Sequence, residues 1–106
     1  MTFTHPHERN DWIALETARR IAARLSEKPA HIQQALDWIA DLQAAGRDYA
    51  AHREWEGILK TQPLDKVVGL LVMENDEGQR LRSSHPFKGV FPESERLAII
   101  EDAFAS

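Results

Sequence analysis

Apolar side chains recur every three or four positions along most of this chain, the spacing of amphipathic helices. Ala14, Ala18, Ile21 and Leu25 share one stripe, widened by Trp12, Leu15 and Ala22. This predicts a first helix over about residues 8–27, with Arg9, Arg19, Arg20 and Arg24 mostly on its wet side. In residues 26–46, Pro29 suits the first turn of a second helix, where its missing N–H costs little. Ile32, Ala35, Leu36, Ile39 and Leu42 form that helix's apolar face, and Gly46 stops it. Residues 47–61 predict a third helix, capped by Asp48, with Ala51, Trp55, Ile58 and Leu59 inward. Gly57 weakens it and is expected at a close packing contact.

Residues 63–73 predict a fourth helix, with Leu64, Val67, Val68 and Leu71 on one side and Leu70 and Val72 covering much of the rest. It is expected to be the most buried. A strand is the competing reading, because valines favour strands, but Gly69 and the flanking helices favour helix. Asn75 or Asp76 caps a short fifth helix over residues 76–84, ended by Pro86. Pro92 opens a sixth, over residues 92–104, with Glu93 and Glu95 near its positive end and Leu97, Ile100 and Phe104 inward. The predicted class is all-α: a compact bundle of five or six helices with short connections.

The chain has 106 residues, enough for one domain with its own core. The expected organisation is a single helical domain over residues 1–106, with 1–7 loose. Cysteine is absent, which excludes a disulfide framework and a thiolate metal site and fits the cytoplasm. No signal peptide is visible in MTFTHPHERND, and the longest apolar run, VVGLLVM, is far shorter than the ~20 residues of a membrane helix. Net charge is −4, from 13 basic and 17 acidic residues. That balance argues against general nucleic-acid binding, which draws its affinity from phosphate neutralisation.

Candidate chemistry concentrates in QRLRSSHPFKGVF, residues 79–91. Arg80, Arg82 and Lys88 are read as a cationic rim for carboxylates or phosphates of a partner. Ser84 and His85 add polar groups, and Phe87 adds an apolar plug. The competing structural reading pairs these arginines with Glu74, Asp76 and Glu77, or with helix carbonyls, and makes the stretch a connector. Trp12 and Trp38 lie at the borders of their stripes, where a half-exposed indole can anchor a protein interface; Trp55 is read as core. His5 and His7, or His52 and Glu56, have spacings that occur in metal sites, but no third and fourth ligand accompanies either pair. No nucleotide-binding, nucleophile-elbow or zinc-protease motif appears. The expectation is no cofactor, no metal and no catalytic residue. A helix–turn–helix reading of residues 44–60 offers Arg47, His52, Arg53 and Lys60, but Asp48, Glu54 and Glu56 oppose a phosphate backbone.

The segment from Trp55 to Phe91 resembles a bacterial group of small helical antitoxin-like or regulatory proteins. That group carries W-x-x-I/L-L, an apolar helix, an acidic turn and then R-L-R-x-S-x-P-F-x-G. The matching residues are Trp55, Ile58, Leu59, Arg80, Leu81, Arg82, Ser84, Pro86, Phe87 and Gly89. The resemblance implies a bacterial origin and a protein partner, and supplies no catalytic residue. The leading expectation is a cytoplasmic protein-interaction module that neutralises its partner by direct binding. The alternatives are a nucleic-acid regulator acting as a homodimer and a small enzyme of unrecognised type.

Overall fold

Residues 3–105 are described in a computed structural model. Six helices follow one another: α1 (Pro6–Glu27), α2 (His31–Ala44), α3 (Ala50–Thr61), α4 (Leu64–Leu71), α5 (Asp76–Arg82) and α6 (Glu93–Phe104). Among the described residues there is no strand. The longest helix, α1, is the spine: α4, α5 and α6 lie against it, α2 touches it and pairs with α3, and α4 packs on α5. Arg24 of α1 meets Glu95 at the start of α6, and Arg9 meets Phe104 at its end, so these two helices run antiparallel. No described helix is long and apolar enough to cross a membrane.

The all-α architecture follows from the spacing. Ala18, Ile21, Ala22 and Leu25 are buried on α1, Ala35 and Ile39 on α2, Trp55 and Leu59 on α3, and Val67 and Leu71 on α4. Gly46 takes φ +82° after α2, the left-handed geometry that ends helices at low cost to glycine. Asn75 caps α5 by accepting the Gly78 N–H at 2.8 Å. Pro92 is the residue before the first turn of α6. Pro6 and His7 already belong to α1, and Phe3 leans on Trp12 with ring centroids 5.9 Å apart. Met1 and Thr2, also in the expected loose segment, lie outside the described residues.

Several local expectations are corrected. Asp48 does not cap α3; its carboxylate accepts from Arg53 and Gln43 instead, and Tyr49 is the N-cap residue. Ala14 is exposed on α1. Gly57 is exposed, with open space where a Cβ would sit, so no close contact selects it. Two residues of α4, Val67 and Leu71, are buried, and Leu64, Val68 and Leu70 are half-buried, so this short helix is not the most buried. On α6 the inward residues are Ile99 and Ala103; Leu97 and Phe104 face outward, 47% and 61% exposed.

Candidate partner-binding site

The connector from α5 to α6 turns inward. His85 Nδ1 accepts the backbone N–H of Phe87 at 3.1 Å, which folds the chain around Pro86. Phe87 then enters the core, fully buried, with its ring edge-on to Trp55 at 5.7 Å. The Trp55 indole N–H donates to the Leu81 carbonyl at 2.9 Å, so α3, α5 and the connector are joined through one buried side chain. Val90 and Phe91 are also buried, and the Gly89 carbonyl accepts from Gln34 of α2. Arg24 of α1 closes the far end: it pairs with Glu95, reaches the Val90 carbonyl and stands over the Phe91 ring at 5.5 Å.

The expected rim of Arg80, Arg82 and Lys88 does not form, because the two arginines are committed elsewhere. Arg80 is exposed but engaged, with two hydrogen bonds to Glu54 of α3 at 2.7 and 2.8 Å and a further pair with Glu77. These bonds hold Glu54 and Glu77 below the usual carboxylate range and raise Arg80. Arg82 is buried, only 5% exposed, and its Nη1 donates to the carbonyls of Leu71 at 3.1 Å and Met73 at 2.7 Å. It thereby satisfies carbonyls left free where α4 ends. Burial pulls its pKa down, while the nearby charges of Asp11 and Glu74 work the other way. Phe87, expected in the contact surface, is core. Ser84 is half-buried, with Oγ 3.5 Å from the Leu81 carbonyl.

His85, Phe87 and Lys88 do meet in one place. They line a cleft of about 380 Å³ between α1, the connector and the start of α6, together with Ile21, Phe91 and Arg96. Its floor is aromatic and aliphatic. Arg96 is held by Glu93, whereas Lys88 is exposed and pairs with no described carboxylate. His85 is half-buried and stacks on Phe87 at 6.2 Å. Burial, with a smaller push from Lys88, lowers its pKa to about 4, so the imidazole is neutral at physiological pH.

Trp12 and Arg82 meet in a different cleft, between α1 and the α4–α5 turn. Trp38 lies in neither: it is half-buried on the α2–α3 side, edge-on to His52 at 5.1 Å. Tyr49 is also edge-on to His52, at 5.4 Å, and Glu56 pairs with Lys60 rather than with that histidine. Among the described residues no group of three His, Cys, Asp or Glu stands close enough to hold a metal ion. The sequence reading missed Arg96, Ile21 and Phe91 as cleft residues. They look like ordinary helix-surface or core positions until the connector folds over α1. No protein-family model, curated protein or solved structure matches this chain.

Proposed function

We propose that the protein is a bacterial, cytoplasmic protein-interaction module of the antitoxin-like kind, which neutralises a protein partner by direct binding. The contact is centred on the cleft between α1, the connector and α6. The observation that carries the reading is the pairing of an apolar base with a cation at its edge: the Phe91 ring below, backed by the buried Phe87 and Ile21, and Lys88 above. A cleft of about 380 Å³ is small for a cofactor and suits one large apolar side chain of a partner, the anchor on which interfaces concentrate their energy. Lys88 then selects an anchor flanked by a carboxylate, and the neutral imidazole of His85 adds no charge that would oppose burial. The surrounding helix faces supply the rest of a standard interface, about 800 Å² per partner.

The nucleic-acid alternative is less well supported. The cations it would use on α3 are paired, Arg53 with Asp48 and Lys60 with Glu56. Arg24, Arg80 and Arg96 are paired too.

The test is co-expression with the products of adjacent genes, followed by size-exclusion chromatography. The reading expects a complex of one such protein with this chain. It expects Lys88→Glu to dissociate that complex without moving the thermal midpoint of the free chain above neutral pH, where His85 is unprotonated in either variant, since Lys88 makes no ion pair among the described residues. Thr17 of α1 also lines the cleft and is half-buried; a complex indifferent to Lys88→Glu and to a bulky Thr17→Trp change would place the contact elsewhere and overturn the reading.

A further inference from the structure

Helix α6 is apolar on two sides. Ile99 and Ala103 are buried, whereas Leu97 and Phe104 face outward and are two of the three large exposed apolar residues among those described. A helix that is apolar on both sides calls for cover on both. At about 100° per residue, Glu93, Arg96, Leu97, Ile100 and Phe104 fall within an arc of about 100° and form one stripe along α6. The head of the stripe is the cleft of about 380 Å³, which Glu93 and Arg96 line. Its foot is Phe104, roughly 16 Å further along the axis. The Phe104 ring meets Arg9 at 4.1 Å and is otherwise open to solvent.

One stripe therefore carries an apolar seat at one end and an apolar plug at the other. Two copies laid antiparallel along it, about a two-fold axis level with Ala98 and Ile99, bring each plug to the other's seat and Leu97 against Ile100 of the second copy. Such a contact is self-complementary and closes on itself. The ends also match in charge. At the head, Arg24 and Arg96 neutralise Glu95 and Glu93, which leaves the exposed Lys88. At the foot, Glu101 and Asp102 are exposed beside a single cation, Arg9. Lys88, Glu101 and Asp102 belong to none of the ion pairs among the described residues. Antiparallel packing sets the basic head against the acidic foot, whereas parallel packing sets like against like.

We propose that the free chain forms a two-fold homodimer along α6, in which Phe104 of each copy enters the cleft of the other. The inference rests on the reading of that cleft as the seat of an apolar anchor; a different protein reaches it only by displacing Phe104. A twelve-residue helix is about 18 Å long, short for a standard interface, so the association is weak, with a Kd on the order of 100 μM.

The experiment is analytical ultracentrifugation of the full chain alone, from about 5 μM to about 1 mM, a range that spans weak interfaces. The expected result is a monomer–dimer equilibrium that Leu97→Asp and Phe104→Asp each weaken at least tenfold, with circular dichroism to check that both variants fold. The arrangement is read by NMR on a mixture of isotope-labelled parent chain and an unlabelled copy spin-labelled through Ala105→Cys, the sole thiol in a chain without cysteine. Broadening of the Lys88–Phe91 amides of the parent chain is expected. A chain that stays monomeric to about 1 mM, a dimer indifferent to both substitutions, or broadening confined to residues 101–105 overturns the proposal. No second protein is present in this measurement, so a monomer overturns the homodimer alone, and the partner complex stands or falls by co-expression.

Discussion

Arg80 and Arg82 stand two positions apart in the same helix and have opposite fates. A rotation of about 200° separates positions i and i+2 of an α-helix, so one guanidinium reaches solvent and Glu54 while the other turns under α4. The competing reading of the sequence contains both fates, an acidic neighbour and helix carbonyls, but does not say which arginine takes which, because the partners of Arg82 are backbone carbonyls, which every residue has. The consequence for stability is unequal. Arg82→Met removes two charge-assisted hydrogen bonds and leaves the Leu71 and Met73 carbonyls without them; the expected loss is about 2–4 kcal/mol in urea unfolding. Arg80→Gln breaks only exposed ion pairs, of a kind that contributes little, and its urea midpoint is expected to match that of the parent chain. An Arg80 variant less stable than the Arg82 variant would reverse the assignment of which arginine is structural.

At the scale of elements, α5 shows why helix positions were legible and their contacts were not. It has seven residues, too few to persist alone, and it is held by its Asn75 cap, by Leu81 in the core and by Gly78. A Cβ on Gly78 would lie 1.8 Å from the Met73 carbonyl oxygen, a backbone atom that cannot swing aside. Gly78→Ala is therefore expected to cost about 3 kcal/mol despite alanine's better helix propensity, measured by the shift in urea midpoint. Gly57→Ala, with open space at its Cβ, is expected to stabilise slightly, by about 0.5–1 kcal/mol. From sequence the two glycines are alike, and no local signal places the close contact at Gly78 rather than at Gly57. The order and kind of the six helices could be read because spacing, prolines and Asn75 are local signals. The rotation of α6 could not. Leu97, Ala98, Ile99 and Ile100 are consecutive and apolar, so several faces could serve. The antiparallel seat on α1, fixed by Arg24–Glu95 and by Arg9 against Phe104, selects Ile99 and Ala103. The cleft residues were half-legible for a related reason: His85, Phe87 and Lys88 are adjacent in sequence, whereas Ile21 and Arg96 reach the cleft only through helix packing.

For the whole molecule, the connector makes global stability depend on the protonation of one imidazole. His85 must remain neutral for Nδ1 to accept the Phe87 N–H, and that bond directs Phe87 onto Trp55 in the middle of the core. Its pKa is lowered from 6.5 to about 4, first by burial and then by Lys88. In the unfolded chain the imidazole takes up a proton near its ordinary pKa; in the folded chain it resists until about pH 4. Between these values the unfolded state binds more protons, so stability is fully present above pH 6.5 and is lost as pH falls toward the folded pKa. The loss between pH 7 and pH 5 is expected to be about 2 kcal/mol. Glu54, Glu77 and Glu93 have pKa values below their ordinary 4.5, so their contribution is lost only at lower pH, and the two limbs separate. His85→Asn supplies a side-chain acceptor that does not titrate here and can still receive the Phe87 N–H. Thermal unfolding of this variant is expected to be nearly flat from pH 7 to pH 5, while the parent melts progressively lower. If the variant declines as steeply as the parent over that interval, the proton responsible sits elsewhere and the connector is not the acid-sensitive joint of the fold.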